Sequence, residues 1–454
     1  MPDRRDAGAA EGLRIPWSRS ERPIPRRVVR PLQAFVAAET SSGIVLILAA
    51  CVALLWANGP WSQTYERAWS TLVTVGVGGW RISEPVRGWV DEGLMAVFFL
   101  VVSLEIKREL VTGELRHPRV AILPVVAAIG GMALPAVIYL AFNAGGEGAR
   151  GWGAAMPTDI AFALGVVALA GRRVPVSLKT FILALAIVDD LGSIVVVALF
   201  YSGNLDWAAI GLSGLVCAGV IALQRIHVRS GAAYGLLGLT MWLLLHDSGV
   251  SPTLAGVALG LVTPAVAFQR PSAVSAEAHR VADQTTDDPE PPDVDAAQWL
   301  SLAELSREAV SPLVRLESAL HPWTSLLVLP LFALANAGIS LGGDAIAEAA
   351  ASPVAVGMVV ARLVGKTVGI TVVTYVAVRF ASARMPAGLT WRHILGGAAA
   401  AGIPFTVSIF IAGIALPSSL VDVATTAILA AAVLSGALAF AILRSPDRGR
   451  PVAV

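Results

Sequence analysis

Cysteine and histidine are almost missing from this chain. Of its 454 residues only two are Cys and six are His. Cys51 and Cys217 lie alone in separate apolar runs and the histidines are scattered. A disulfide framework and a Cys/His metal site are therefore both excluded. Charge is scarce as well: 14% of residues are Asp, Glu, Lys or Arg, while 56% are hydrophobic and the mean hydropathy is +0.72. A soluble domain carries roughly 25% charged residues. The net charge of +1 says little, since the distribution of charge matters more, and no nucleic-acid partner is expected. No Gly-rich loop ending in Gly-Lys-Ser/Thr follows a strand. Gly365-Lys366-Thr367 copies those letters but lies inside an apolar helix, so neither ATP nor any other cofactor is expected. Residues 1–30 are polar and Arg-rich, without a cleavable signal pattern, and the first apolar run reads as an uncleaved anchor.

What the chain has in excess is apolar stretches of about 20 residues, the length that crosses a bilayer core. Alternating segments of ~10 residues, the mark of a β-barrel, do not occur. The fold class is therefore all-α polytopic membrane protein. About twelve crossings fall near 34–57, 91–111, 120–142, 153–170, 176–201, 206–223, 231–246, 249–268, 322–340, 353–378, 394–416 and 423–443. Basic residues decide the orientation. One set of segments holds Arg26, Arg27, Arg30, Lys107, Arg108, Arg116, Arg119, Arg225, Arg270, Arg384 and Arg444, among others. The opposite loops hold only Arg67, Arg81, Arg87 and Arg150. Both termini are thus expected in the cytoplasm. The domain plan is a basic tail (1–33), a transmembrane domain (34–443) and a short tail (444–454). Two features interrupt it. A Gly-centred alternating stretch at 71–83 predicts an external hairpin. The Pro- and Asp-rich stretch 271–295 reads as an acidic, disordered cytoplasmic insertion, followed by an amphipathic surface helix over 298–319.

Against this background a few polar residues stand out. Asp189 and Asp190 are neighbours in the middle of the apolar run Phe181–Phe200. A charge at that depth costs at least ~2.5–3.5 kcal/mol, and two adjacent like charges also repel. Neighbours on a helix are ~100° apart, so both can border one cavity without facing each other. Titratable, oxygen-only ligands at midplane suit transport of a hard cation, a proton, or both. Lys366, in a second apolar run, needs a carboxylate or carbonyl partner to stay charged, and Asp189 or Asp190 could supply it. Arg362, one turn earlier, is expected to snorkel or pair locally. Pro157 breaks the hydrogen-bond ladder of its span, and Thr158 and Asp159 then look like the cap of a second half-helix. Pro404 and Thr406 stand in matching places. Two interrupted segments, each flanked by long helices, suggest inverted repeats over 120–201 and 353–443, with two discontinuous crossing helices. Asp159 and Lys366 have the right signs to balance half-helix ends.

Taken together, Asp91–Leu110, Pro157–Gly165, Ala184–Gly192, His321–Trp323, Leu329–Gly338, Gly365–Lys366 and Pro404–Phe410 carry a resemblance to the NhaA-type sodium/proton antiporter family over residues 32–443. NhaA is itself a type example of inverted-repeat transporters, so that part of the architecture comes with the resemblance. The resemblance implies a cation and proton site at Asp189 and Asp190, holding Na⁺ or Li⁺, with Thr158 nearby. It implies charge compensation at the broken helices by Asp159 and Lys366, the latter paired with Asp189. Glu105, Lys107, Arg108 and Glu109 would form the rim of a cytoplasmic funnel, and Glu317 would take part in pH response. Taken without the family, the four rim residues read as a solvated helix end. The hairpin would join two protomers into a homodimer, in a bacterial inner membrane with both termini cytoplasmic. Glu92, Ser251 and Ser318 depart from residues found in some members, whereas His321 matches.

The expected activity is secondary active transport rather than enzyme catalysis. Cytoplasmic Na⁺ (or Li⁺) would exchange for external H⁺ by alternating access, electrogenically, for sodium and pH homeostasis. Three rivals are weighed. An organic-anion symporter of related fold would need an anion pocket. An intramembrane aspartyl protease would need two Asp facing each other from different helices, with Asp159 as the only partner in sight. A passive channel would show neither saturation nor exchange.

Overall fold

A computed structural model describes residues 39–77, 80–171, 174–203, 205–228, 230–284, 292–380 and 383–445. The N-terminal tail (1–33) and most of the C-terminal tail (444–454), expected in the cytoplasm, lie outside the described residues. The chain is helical almost throughout, as apolar segments must be where no water can satisfy backbone N–H and C=O groups.

Six helices are long and apolar enough to cross a membrane: Pro118–Asn143, Val176–Phe200, Trp207–Arg225, Pro312–Asn336, Pro353–Phe380 and Ser418–Arg444. Counting each of three bent helix pairs as one span raises the number to nine among the described residues. Two of those pairs matter for the site. Glu147–Ala155 and Ile160–Leu169 meet at 53°, and Trp391–Ala401 and Thr406–Ala415 meet at 46°. The bends fall at Pro157 and Pro404, each of which removes a backbone donor and crowds the preceding turn.

Helices start where local chemistry favours it. Pro118, Pro312 and Pro353 occupy first-turn positions, where a missing N–H costs nothing. Ser352 accepts from Val354 N and Asp206 from Ala208 N at their helix starts. Helix Pro353–Phe380 is interrupted by a π-helical turn at Ala361–Lys366. It crosses Pro118–Asn143 closely at Gly130 and Gly369. A Cβ on Gly369 would fall 2.3 Å from Gly130 O, so only glycine fits there. Small residues of this kind let membrane helices approach backbone to backbone. The contact brings Lys366 alongside Gly131.

The hairpin expected at 71–83 is present as an antiparallel pair, Leu72–Val77 with Trp80–Pro85. The stretch 271–295 departs from expectation. Pro271–Gln284 is a helix that packs Val274 and Val281 against Leu302 of helix Pro292–Glu308. An apolar spacing at 274, 278 and 281 supplies the stripe that the Asp/Pro composition obscured. Residues 285–291 of that stretch lie outside the described residues. On the exposed face of Pro271–Gln284, hydrogen bonding to Arg280 holds the Glu277 carboxyl below its ordinary range. The single amphipathic helix expected at 298–319 is instead two helices, Pro292–Glu308 and Pro312–Trp323. Ser311 caps the second, and Pro312 cannot continue the first.

Candidate ion-exchange site

The two bent pairs, helix Val176–Phe200 and helix Pro353–Phe380 bring their polar residues together in the protein interior. Asp189 and Lys366 are both fully buried, and Lys366 Nζ donates to Asp189 Oδ2 at 2.6 Å. The same ammonium donates to Met156 O, at the end of the first half of a bent pair. Thr158 Oγ1 lies 2.7 Å from Asp189 Oδ2 and 2.8 Å from Ala401 O. A hydroxyl has one proton, so Thr158 donates to only one of these oxygens at a time. Of the two orientations, one leaves Asp189 Oδ2 to Lys366 alone.

The other carboxylate oxygens differ. Asp189 Oδ1 and Asp190 Oδ1 are buried and have no hydrogen-bond partner among the described residues. A buried acceptor left unpaired costs about 1–3 kcal/mol, more when charged. Asp190 keeps 7% of its surface exposed and Asp189 none. Ser193 Oγ ties itself to Asp189 O at 2.8 Å, one turn along the helix.

Asp159 does something different. Its Oδ1 accepts from Phe162 N at 3.3 Å, capping helix Ile160–Leu169. Its Oδ2 accepts from Thr406 Oγ1 at 3.1 Å and Thr406 N at 3.5 Å, at the start of helix Thr406–Ala415. Asp159 N in turn donates to Ile403 O at 3.1 Å. One carboxylate therefore meets the N-terminal ends of two helices, where unsatisfied N–H groups carry partial positive charge. Asp159 is spent on these donors, and among the described residues it makes no hydrogen bond to Asp189 or Asp190.

The sequence missed Arg362. It does not snorkel; its side chain is fully buried and donates to Ala154 O, Pro157 O and Ser408 Oγ, all at the two bends. Its position four residues before Lys366, on the same helix face, is the signal that could have found it. Two other contacts carried no legible signal: Asn336 Nδ2 donates to Asp91 Oδ1 at 2.6 Å, and His246 Nδ1 lies 2.8 Å from Glu92 Oε2.

The residues expected at a funnel rim form a separate network. Arg108 pairs with Glu317 and lies 3.6 Å from Glu109. Glu105 Oε1 is 3.9 Å from His321 Nε2, and Lys107 Nζ donates to Leu261 O at 2.7 Å. Most of these side chains are partly exposed. Glu317 is the exception, being nearly buried beside Arg108. Among the described residues no group of three or more His, Cys, Asp or Glu side chains is arranged to hold a metal. Ligands for a cation at the aspartates are oxygens only, which suits a hard alkali ion.

The profile of the family described as "Na+/H+ antiporter 1" matches residues 33–443. Among similar proteins, a Na(+)/H(+) antiporter NhaA 2 of Sorangium cellulosum is 44% identical, covering 93% of this chain and 91% of the relative. A Na(+)/H(+) antiporter NhaA of Anaeromyxobacter is 45% identical, covering 94% and 93%. One of Rhizobium meliloti is 42% identical, covering 95% and 99%.

Proposed function

Since this chain belongs to the Na+/H+ antiporter 1 family, a family of multi-pass membrane transporters rather than enzymes, we propose that it moves cytoplasmic Na⁺ or Li⁺ outward in exchange for external H⁺ at Asp189 and Asp190. The observation that carries this reading is the pair of buried, unpartnered oxygens, Asp189 Oδ1 and Asp190 Oδ1, on adjacent residues of one helix. A desolvated cation supplies what those oxygens lack, and so does a proton, but not both at once.

The chemistry follows from the contacts. Asp190, the more accessible carboxylate, binds either a proton or Na⁺. Thr158 Oγ1 can turn its proton to Ala401 O and offer a lone pair to the ion. Na⁺ approaching Asp189 competes with Lys366 for the same oxygen and repels its ammonium. Asp190 and the Lys366–Asp189 pair together can release more than one H⁺ per Na⁺, so net charge crosses the membrane. Asp159 and, for as long as it keeps its proton and its place beside Asp189, Lys366 compensate the charge at the ends of the bent helices. In this reading the bent pairs are discontinuous crossing helices, the chain crosses twelve times in inverted repeats (120–201 and 353–443), and one bundle moves against the rest to give alternating access. The funnel residues Glu105, Lys107, Arg108, Glu109 and Glu317 lead ions from the cytoplasm and respond to pH. The hairpin joins two copies into a homodimer. The protein works in a bacterial inner membrane with both termini cytoplasmic, for sodium and pH homeostasis.

The test is Na⁺-induced collapse of a ΔpH in everted vesicles, run with Na⁺, Li⁺ and K⁺. Wild-type protein is expected to respond to Na⁺ and Li⁺, and Asp190→Asn to neither. An active Asp190→Asn would sink the site assignment. Proteoliposomes clamped with K⁺ and valinomycin are expected to exchange faster when the membrane potential draws positive charge in the proton direction. Indifference to potential would reject electrogenic exchange.

A further inference from the structure

We propose that Arg362 is a positioning residue for ion exchange, holding the bend at Pro157 in place so that Thr158 stays against the Asp189 carboxylate while Lys366 is free to let go. The inference rests on the exchange site proposed above and assigns work to a side chain outside it.

The helix Glu147–Ala155 ends inside the protein; Gly153 O still accepts from Met156 N, but among the described residues no backbone donor reaches Ala154 O, Met156 O or Pro157 O. In a membrane interior water cannot supply one. Two cations on one turn of helix Pro353–Phe380 take up the task. Arg362 binds Ala154 O and Pro157 O, and Lys366 binds Met156 O. Arg362 reaches further, to Ser408 Oγ on helix Thr406–Ala415, and so fastens one bent pair to the other. Pro157 O belongs to the rigid peptide unit that leads into Thr158. Wherever Arg362 holds that carbonyl, the Thr158 side chain follows.

The two cations differ in kind. Lys366 shares its charge with Asp189 Oδ2. A sodium ion bound there displaces it, and its grip on Met156 O is loosened in the same step. Arg362 hydrogen-bonds to neither Asp189 nor Asp190 among the described residues; its acceptors are two carbonyls and a hydroxyl. A guanidinium does not give up its proton, and its planar fork meets several acceptors at once. Arg362 therefore keeps the backbone of the bend fixed through a cycle in which Lys366 cannot.

The experiment uses the full chain reconstituted in proteoliposomes at fixed pH. Na⁺ KM and maximal rate are measured for wild type, Arg362→Leu, Arg362→Lys and Ser408→Ala, with Asp190→Asn as the inactive control. Arg362→Leu is expected to raise the Na⁺ KM about tenfold, the effect of misplacing one ligand. Arg362→Lys is expected to recover part of that loss, because one ammonium cannot reach all three acceptors. Ser408→Ala cuts only the tie to the second bent pair and is expected to lower the maximal rate several-fold, with KM within about twofold of wild type. A folded Arg362→Leu with the wild-type KM overturns the inference. Where that variant is not recovered from membranes, Arg362→Lys and Ser408→Ala both kinetically identical to wild type overturn it equally. A wild-type protein without Na⁺/H⁺ exchange refutes the proposed function instead.

Discussion

Lys366 and Asp189, 177 positions apart in the chain, meet at 2.6 Å with both side chains sealed from solvent. Neither is stable there alone. A buried ammonium or carboxylate without its partner pays a desolvation cost of several kcal/mol, which the partner's charge offsets only at close range. The pair also leaves Asp189 Oδ1 unused, so the contact that secures the fold still leaves a ligand for an ion.

Lys366→Ala should therefore be markedly destabilised, by about 3–5 kcal/mol, because it strands a buried carboxylate and frees Met156 O. Thermal unfolding in detergent reads this directly. A variant that melts with the wild type, and whose activity has the same pH profile, would show that the ion pair has no such role.

Protons and Na⁺ compete for the same carboxylates in the proposed cycle. At low pH more of the aspartate oxygens carry protons, so more Na⁺ is needed to displace them. The Na⁺ KM should fall as pH rises, by up to about tenfold per pH unit per displaced proton, and level off once the site is deprotonated. A KM constant between acidic and alkaline pH would argue that ion and proton use separate sites.

Asp159 serves two helix starts, and its two contributions are separable. Asp159→Asn keeps an oxygen to cap Ile160–Leu169 but loses the charge facing the N–H groups at Thr406. Asp159→Ala loses both. Losses of about 1 kcal/mol for Asn and about 2–3 kcal/mol for Ala are expected in thermal or denaturant unfolding. Equal losses would mean that charge at this position does nothing.

At the edge of the protein, Arg108 holds Glu317. Glu317→Gln removes the charge from a nearly buried side chain but keeps an oxygen for the partly exposed Arg108, so a stability loss of about 1–3 kcal/mol is expected. The expected effect is on the pH at which exchange switches on, measured as the midpoint of the activity profile. An unchanged midpoint would leave the pair as a surface contact.

Much of the site could be read along the chain because polar residues in apolar runs are conspicuous. Asp189, Asp190 and Lys366 have no apolar explanation, and Pro157 and Pro404 each remove a backbone donor next to a polar residue that can start a new helix. Arg362 was as conspicuous but was misjudged. Snorkelling is the commoner fate of a lone arginine in an apolar span, and nothing in its own segment names Ala154, Pro157 or Ser408 as acceptors. The helix Pro271–Gln284 was hidden for another reason: its short apolar stripe finds its partners in Leu302, Leu305 and Ala309, which no local pattern predicts.

The amino-acid sequence by itself determined that this is a helical membrane protein with two adjacent acids, one lysine and two proline breaks buried in its spans. Hydropathy, length and the cost of buried charge are properties of single segments, and they need no partner to be computed. Which oxygen meets which nitrogen was decided only by tertiary structure. Gly130 against Gly369 brings Lys366 in, and the two bends place Thr158, Asp159, Thr406 and Ser408 around one crossing. Hydrogen bonds act over about 3 Å, and only the packing of helices far apart in the chain brings their ends that close.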